Sequence, residues 1–308
     1  MITALSPSPS LDVTYTIDGF RTAALNRPRD VHRVAGGKGL NCARAAHRLG
    51  ADVAAVALLG GDVGRWIAAD LARLGLPLVV AEVAAPTRTC VSVADPGQDT
   101  MTEIYEPAAA VTAPEWERFA DAVRVAVRAR PGWVTLSGSL PPGTPDTGVA
   151  DLARTVHAAG ARLAVDVHGA ALLQALAAGV DVVKVNAVEA AEALGEALDP
   201  LASARALATH TCSGAVVTAG VRGAVAVGPD GDHLWAWSAR RGPYPVGSGD
   251  CFLAGLVVEL DAGRTLLDGL AAATAVATAN ALSPAPACFR DEDLRAARAD
   301  LVLSPSAR

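Results

Sequence analysis

The sequence predicts an α/β protein in which a mostly parallel central sheet is covered by helices on both faces, with a smaller sheet beside it. From about residue 133 onward, short apolar runs alternate with stretches of helical periodicity. The apolar runs show no polar alternation, which is typical of strands buried on both faces of a parallel sheet. The N-terminal third instead contains segments that alternate polar and apolar residues, as half-exposed strands do.

The half-exposed strands come first in the chain, at 13–17 and 88–93. Turn-rich sequence separates each of them from the strand–helix alternation, so we predict a small sheet that projects from the main layer and acts as a lid. This lid would be formed by about residues 11–34 and 86–108. No repeat, low-complexity tract or long linker interrupts the chain, so residues 1–308 are predicted to form one domain.

The buried strands of the main sheet are predicted at 133–136, 163–165, 182–185 and 215–218. Helices are predicted between them, for example at 151–159 and 170–178, and each is followed by a glycine, which commonly ends a helix. Polar or glycine-rich residues follow the buried strands. Because ligands bind beyond the C-terminal ends of strands in such sheets, we predict a ligand site at that edge.

Composition excludes several classes of function. The chain is 51% hydrophobic, but no apolar run approaches the ~20 residues that span a bilayer. The net charge is −6 with no cluster of Lys and Arg, so neither nucleic acid nor an anionic membrane is an expected partner. Five cysteines without a Cys-x-x-Cys pair argue against a zinc site or a disulfide framework. They indicate reduced thiols in a cytoplasmic protein, and the first residues show no secretory signal.

The segment 247–250, Gly-Ser-Gly-Asp, precedes an apolar helical pattern. Its glycines allow a ligand to approach the backbone closely, and the free amides at a helix start suit a phosphate. Asp250 would then lie beside the bound anion, where a base could take a proton from an attacking hydroxyl, and the helix N-terminus would keep it ionised. Taken alone, a helix cap is the commoner explanation of such an aspartate.

A second glycine-led helix start lies at 36–41, Gly-Gly-Lys-Gly-Leu-Asn, and this helix is predicted to run to residue 49. Lys38 supplies a positive charge, and Asn41 can both donate and accept hydrogen bonds. The segment is neither a Walker A loop nor the dinucleotide fingerprint. In isolation, a glycine-rich turn with a solvated lysine explains it equally well.

Other candidate residues have both a functional and an ordinary interpretation. Asp12 is placed to bind sugar hydroxyls or to make a turn. Arg88 is a candidate phosphate ligand or an exposed arginine of an edge strand. Lys184, Asn186 and Glu189 are placed to hold a triphosphate and, through water, Mg2+, or form an ordinary strand end followed by a helix with an early acidic residue.

Together these motifs resemble the PfkB/ribokinase family of carbohydrate kinases, in particular its phosphosugar branch of 1-phosphofructokinases, tagatose-6-phosphate kinases and minor 6-phosphofructokinases. The resemblance extends from residue 6 to about residue 280. Besides the two glycine-led segments, it rests on 136–143 (Leu-Ser-Gly-Ser-Leu-Pro-Pro-Gly), 184–189 (Lys-Val-Asn-Ala-Val-Glu) and 218–224 (Thr-Ala-Gly-Val-Arg-Gly-Ala). It implies a ribokinase-like three-layer α/β/α fold with a β-sheet lid.

The resemblance also implies a role for each candidate residue. The catalytic base would be Asp250, within an anion hole formed by Gly247, Ser248 and Gly249. The substrate would be bound by Asp12, Gly37, Lys38, Asn41 and Arg88, with Ser137 or Arg27 as further phosphate ligands. ATP would be bound by Lys184, Asn186, Thr218, Gly220, Gly223 and Asn280. Mg2+ would be held through water by Glu189 and Asn186.

The implied activity is the ATP- and Mg2+-dependent phosphorylation of a ketohexose phosphate, with fructose 1-phosphate as first choice and tagatose 6-phosphate or fructose 6-phosphate next. A homodimer that pairs through the lid is also implied. The alternatives are a kinase of a non-phosphorylated sugar or nucleoside, which Arg88 disfavours, and a catalytically silent binding protein, which the presence of Asp250 and Glu189 disfavours. A nicotinamide oxidoreductase fits worst, because the fingerprint loop is absent.

The chain departs from the phosphosugar pattern on the predicted lid. Cys90, Tyr105 and Ala108 stand where that branch usually has Asn, Asn and Gly. Loss of two amide side chains and the bulk of Tyr105 are expected to alter acceptor preference, at about 1–3 kcal/mol per changed contact. His168 has no evident partner in the sequence and is predicted to be non-catalytic.

Overall fold

The computed structural model describes residues 1–307. Its strands are β1 (Ile2–Ser6), β2 (Ser10–Thr16), β3 (Asp30–Gly36), β4 (Val53–Leu59), β5 (Leu78–Glu82), β6 (Arg88–Asp95), β7 (Thr100–Tyr105), β8 (Trp133–Ser137), β9 (Arg162–Asp166), β10 (Val182–Asn186), β11 (Gly214–Thr218), β12 (Ala224–Val227), β13 (His233–Ser238) and β14 (Leu301–Ser304). Its helices are α1 (Lys38–Arg48), α2 (Gly61–Arg73), α3 (Ala113–Ala129), α4 (Gly148–Ala158), α5 (Gly169–Ala177), α6 (Ala187–Leu194), α7 (Pro200–Ala208), α8 (Ser248–Asp261), α9 (Leu266–Ala281) and α10 (Asp291–Ala299), with a 3-10 turn at Gly220–Arg222.

The main sheet has ten strands in the order β14-β13-β12-β11-β10-β9-β8-β1-β4-β5. Every pairing from β11 to β5 is parallel, and the three pairings that add β12, β13 and β14 are antiparallel. The four buried strands predicted from sequence correspond to β8 to β11, each one residue longer at one or both ends. The predicted α/β class with a mostly parallel sheet is therefore confirmed.

Helices cover both faces of this sheet. One hydrophobic core contains side chains of α1, α2, α8, α9 and α10, and the other contains side chains of α3 to α7. Neighbouring residues of one strand enter different cores: Val182 of β10 packs into the first, and Val183 packs into the second. The start of β10 is therefore apolar on both faces, which explains why the sequence there shows no polar alternation.

A separate four-stranded sheet has the order β3-β2-β6-β7. Its central pair, β2 with β6, is parallel, and both outer pairings are antiparallel. The predicted strand at 13–17 begins three residues earlier in the structure, and the predicted strand at 88–93 continues to Asp95. The small sheet comes from the two predicted regions of the chain, and β3 extends past the first of them to Gly36.

The C-terminal ends of the parallel strands meet at one edge of the main sheet. Ser137 at the end of β8 lies opposite Asp166 at the end of β9, and Asn186 at the end of β10 lies opposite Thr218 at the end of β11. Helices α1 and α8 pack against each other beside this edge. Parallel pairing thus brings together polar residues that are far apart in sequence.

Within residues 1–307, none of the helices combines the length and the apolar content that crossing a membrane requires.

The second core depends on α3, whose Phe119 is fully buried and packs against Trp116 with ring centroids 5.4 Å apart. We expect Phe119→Ala to lower the free energy of unfolding by about 3–5 kcal/mol, because it removes a large side chain and leaves a cavity. Val125→Ala on the same helix is the control, since Val125 is 68% exposed and should change stability by no more than about 0.5 kcal/mol. Urea denaturation of both variants checks this, and equal losses would contradict it.

Candidate active site

The first glycine-led helix start holds Asp12 in place. A Cβ atom on Gly36 would overlap the Asp12 carboxylate, so this position accepts only glycine. Gly37 has a positive φ of 85°, and its amide donates to Asp12 Oδ2 at 3.3 Å, while the Ser10 hydroxyl donates to Oδ1 at 2.5 Å. Burial raises the pKa of Asp12 despite these two hydrogen bonds. Gly37 and Ser10 thus hold the Asp12 carboxylate beside the N-terminus of α1.

The second glycine-led helix start places Asp250 in the first turn of α8. Gly247 precedes the helix with a φ of 79°, and a Cβ atom there would lie 2.8 Å from Pro286. Asp250 is only 5% exposed, and the Asn41 side-chain amide donates to its Oδ2 at 2.9 Å. Although 209 positions separate Asn41 from Asp250, the two helix starts face each other directly.

The protonation of Asp250 differs from the sequence-based expectation. The helix N-terminus was expected to keep this carboxylate ionised, but burial, together with the negative charge of Asp166, raises its pKa to about 7. Lys38, Asn41 and Lys184 oppose this shift and do not cancel it. Removing a carboxylate from water disfavours its charged form more strongly than the partial charge of a helix start favours it. Asp250 therefore exchanges its proton near neutral pH.

Asp166 is the centre of a buried charge cluster that the sequence analysis left without a role. Its carboxylate lies 2.6 Å from Lys184 Nζ and 3.4 Å from Lys38 Nζ, and Lys38 Nζ also lies 3.7 Å from Glu189 Oε1. Burial alone would raise the pKa of Asp166, but the two ammonium groups outweigh it and lower that pKa. Asp166 in turn raises the pKa of Lys38. The carboxylates of Asp166 and Glu189 and the two lysine ammonium groups therefore place charges of both signs at the site.

Asn186 and Glu189 form the N-terminal cap of α6. The Asn186 Oδ1 atom accepts the amides of both Val188 and Glu189 at 2.9 Å, and Glu189 Oε2 accepts the Asn186 amide at 2.9 Å. Both lone pairs of the Asn186 carbonyl are thus in use, while Glu189 Oε1 remains directed toward Lys38. This geometry favours Glu189 over Asn186 as the residue that faces a cation.

Arg88 carries an uncompensated positive charge. Its guanidinium donates to two backbone carbonyls, those of Glu106 at 3.2 Å and Ser8 at 3.4 Å. Its buried Nε atom has no hydrogen-bond partner within residues 1–307, and in the same range no carboxylate lies at ion-pairing distance. The guanidinium is held by neutral acceptors, and Asp12 attracts it only from beyond ion-pairing distance, so its donors remain available to a bound anion.

Two adjoining cavities lie at this edge of the main sheet. We call the first the central cavity; its volume is about 380 Å³, and its walls include Asp12, Lys38, Arg88 and Asp250. The second, the flanking cavity, has a volume of about 320 Å³ and lies between the 3-10 turn Gly220–Arg222 and helix α9. Thr218 and Gly249 line both cavities, so the two connect where α8 begins.

Most of the residues proposed from sequence line one of these cavities. The central cavity brings together Asp12, Gly37, Lys38, Asn41, Arg88, Lys184, Asn186, Glu189, Thr218, Gly247, Gly249 and Asp250. The flanking cavity brings together Thr218, Gly220, Gly223, Ser248 and Gly249. The two distant glycine-led motifs thus lie at one continuous site.

Three proposed residues line neither cavity. Arg27 is exposed in the loop between β2 and β3. Ser137 is buried behind the wall of the central cavity, which is lined instead by the two residues that follow it. Asn280 is fully buried, and its amide donates to the Val246 carbonyl at 2.8 Å and the Ser248 hydroxyl at 3.1 Å. Asn280 therefore supports the loop before α8 from behind.

Other polar groups, not predicted from the sequence, also lie at the site. Ser139 lines the central cavity, and its hydroxyl lies 3.2 Å from Nε2 of His168, which was expected to lack a partner. Arg240 and Arg241 line the flanking cavity. Their sequence context gives no signal, because their positions depend on how the segment between β13 and α8 folds back over the helix. Within residues 1–307, no group of three or more His, Cys, Asp or Glu side chains is arranged to hold a metal ion.

Known proteins resemble this chain over most of its length. The model of the pfkB family of carbohydrate kinases matches residues 9–288. A 1-phosphofructokinase from Rhodobacter capsulatus is 34% identical over 278 residues, which cover 89% of this chain and 88% of that protein. An ATP-dependent 6-phosphofructokinase isozyme 2 from Mycobacterium tuberculosis is 30% identical over 297 residues, covering 94% and 87%.

A solved structure shows the same fold. The crystal structure of a possible 1-phosphofructokinase from Thermotoga maritima superposes with a TM-score of 0.90 over 99% of both chains, at 22% identity.

The raised pKa of Asp250 predicts a pH-dependent stability difference. Between the usual carboxyl pKa of 3.8 and the folded-state value of about 7, the folded protein binds more protons than the unfolded chain, so ionisation progressively destabilises the fold as pH rises. We expect Asp250→Asn to be more stable than the wild type at pH 8, with a gap that shrinks by on the order of 1–2 kcal/mol at pH 5.5. Urea unfolding at both pH values measures this, and a gap independent of pH would contradict it.

Proposed function

The chain belongs to the pfkB family of carbohydrate kinases, and on this premise we propose that it transfers the γ-phosphoryl group of ATP to a primary hydroxyl of a ketohexose phosphate. Fructose 1-phosphate is the first choice of acceptor, followed by tagatose 6-phosphate and fructose 6-phosphate. The relatives named 1-phosphofructokinase and ATP-dependent 6-phosphofructokinase support this acceptor class.

The observation that carries the proposal is the pairing of Arg88 with Asp250 in one cavity. Arg88 offers a positive charge without a carboxylate partner, which suits the phosphate already on the acceptor. Asp250 offers a carboxylate that exchanges its proton near neutral pH, which suits the hydroxyl to be phosphorylated. An acceptor that spans the cavity would satisfy both groups, as well as the buried Asn41 Oδ1 atom, which has no partner within residues 1–307.

The catalytic step requires little covalent chemistry from the protein itself. Phosphoryl transfer proceeds through a loose transition state, so positioning and charge neutralisation contribute more than base strength. The N-terminal amides of α8 provide donors for the transferred group, and the Lys184 ammonium lies within 2.9 Å of where a Cβ atom on Gly249 would be. Asp250 receives the proton of the acceptor hydroxyl as the new oxygen–phosphorus bond forms and the bond between the γ-phosphorus and the bridging oxygen of ATP breaks, with ADP as the leaving group.

The flanking cavity is the proposed site of the ATP base. Gly220 and Gly223 form one side of it, and small α9 side chains such as Ala277 and Ala281 form the other. A Cβ atom on Gly223, which immediately precedes β12, would collide with the Ala236 carbonyl of β13. The close approach of the two chain segments therefore depends on that glycine. The phosphate chain would then run toward Gly249, where the two cavities connect.

The residues present fit a phosphate-bound Mg2+ ion. Such an ion keeps several waters and needs only one or two protein carboxylates, and it neutralises negative charge on the phosphates when bound. Glu189 has a carboxylate oxygen free of backbone bonds for this purpose, next to Lys38. Asn186 would act indirectly by holding Glu189 through the α6 cap.

The small sheet is proposed to act as a lid, because Ser10, Asp12, Arg88 and Cys90 on one of its faces line the central cavity. Its opposite face exposes apolar side chains, including Ile104 at 62% and Val31 at 39%. We propose that a homodimer forms by pairing these faces, since burial of exposed apolar surface favours association.

Substitution of the proposed base tests the mechanism. We expect Asp250→Asn to lower kcat by at least roughly a hundredfold, the scale of a lost general base, while the affinity for ATP stays nearly unchanged. Steady-state kinetics and ATP titration of the same preparation measure the two quantities. A kcat close to that of the wild type would remove Asp250 from the mechanism.

Substitution of Arg88 tests the acceptor class. We expect Arg88→Ala to raise the KM for a phosphorylated ketose at least about tenfold, since an anion-binding group is lost, and to leave the KM for the free ketose little changed. Arg128→Ala is the matched control, because Arg128 is an exposed arginine on α3 that lines neither cavity. Equal effects of Arg88→Ala on both acceptors would rule out the phosphate contact.

A further inference from the structure

The central cavity contains a polar pair that the proposed chemistry does not use. Tyr105 and Glu103, both on β7, line the cavity, and the Tyr105 hydroxyl donates to Glu103 Oε1 at 3.0 Å. The pair belongs to the small sheet, whereas Asp250, Lys38 and Lys184 belong to the main-sheet edge. Its position therefore suggests contact with the acceptor rather than with the transferred group.

Strand register places Tyr105 in the same cross-strand row as Asp12. Asp12 lies opposite Cys90, and Cys90 lies opposite Tyr105, so all three side chains share the cavity-facing side of the sheet. Opposed residues have Cβ atoms about 4.5–5.5 Å apart, and the small Cys90 side chain leaves the phenol room to extend toward Asp12. Glu103 lies one row further along, opposite Ser92.

The phenol of this pair is held in its protonated form. Tyr105 is 49% exposed, yet its partial burial raises its pKa, and the charge of Glu103, the hydrogen bond to Glu103 and the charge of Asp12 act in the same direction. A protonated phenol that donates to Glu103 keeps its oxygen lone pairs for other donors, and the second Glu103 oxygen is also an acceptor. The pair therefore presents hydrogen-bond acceptors, which suit hydroxyl groups and repel a phosphate.

The cavity-facing side of the small sheet is thus polarised along its strands. Arg88 lies in the row of Ser10, and Glu103 lies in the row of Ser92, four residues further along β6. At about 3.4 Å per residue the positive and negative ends are ~13 Å apart. An acceptor with one phosphate and several hydroxyls would place the phosphate at Arg88 and its sugar hydroxyls toward Tyr105 and Glu103.

We propose that Tyr105 and Glu103 form the specificity-determining wall of the acceptor site, which selects among ketose phosphates by the configuration of their hydroxyl groups. This inference rests on the proposed kinase function. A site that hydrogen-bonds a particular hydroxyl discriminates against an isomer that leaves those groups unpaired. Both side chains contact the acceptor in this arrangement, so substitutions should change relative rather than uniform efficiency.

The test compares kcat/KM across a panel of fructose 1-phosphate, fructose 6-phosphate, tagatose 6-phosphate, free fructose and free tagatose. Fructose 6-phosphate and tagatose 6-phosphate differ only in the configuration of one hydroxyl. For Tyr105→Asn and Glu103→Gln we expect the ratio of kcat/KM between the preferred acceptor and its isomers to fall at least about tenfold. Tyr105→Phe keeps the ring and removes the hydroxyl, so it shows whether the ring or the hydroxyl is responsible for acceptor selectivity.

Val125→Asn is the control, because Val125 is 68% exposed on α3 and lines neither cavity. It should leave every ratio unchanged. The proposal that Tyr105 and Glu103 determine specificity is overturned if Tyr105→Phe and Glu103→Gln change kcat/KM for all acceptors by one common factor. If the wild type accepts only free ketoses, the proposed acceptor class fails, and the ratio of free fructose to free tagatose then tests the wall. A wild type without activity on any acceptor of the panel overturns both.

Discussion

The arrangement of the candidate site depends on one buried carboxylate. Asp166 contacts Lys38 at the start of α1 and Lys184 within β10, and these lysines come from distant parts of the chain. Because a buried charge without a partner is strongly destabilising, the three groups must stay together. Their contact fixes the acceptor-side helix relative to the strand that leads to α6. The hydrogen bond from Asn41 to Asp250 then joins this helix start to the start of α8.

The same cluster shapes the chemistry of Asp250. The negative charge of Asp166 adds to burial and raises the pKa of Asp250, while Lys38 and Lys184 moderate the rise. A fully solvated aspartate would be a weaker proton acceptor, and an isolated buried one would stay protonated. The pKa of about 7 that this environment gives Asp250 lies between these limits. Folding stability is lost in order to keep this proton exchangeable, which is common where a functional group is buried.

Glycine and strand patterns are local, so the sequence locates the elements that carry the candidate residues, whereas the direction of each side chain depends on the folded chain. Strands β8 to β11 and both glycine-led helix starts follow from apolar runs and backbone requirements. Ser137 does not line the central cavity, because Gly138, with a φ of 98°, turns the chain so that Ser139 reaches the cavity instead. Asn280 does not line either cavity, because it lies on the part of α9 that faces the loop before α8. The role of Asp166 became visible only through its lysine partners, which no sequence spacing indicates.

The two sheets divide the work of the proposed kinase. The edge of the main sheet carries the proposed base Asp250, Lys184 and the helix amides, which act on the transferred group whatever sugar is bound. The small sheet carries Arg88 at one end and Tyr105 with Glu103 at the other, which act on the body of the acceptor. Because strand register alone fixes the spacing of these groups, one substitution on β7 changes which hydroxyl is recognised without moving Asp250. On this proposal, departures from the family pattern can accumulate on the small sheet while the catalytic edge is retained.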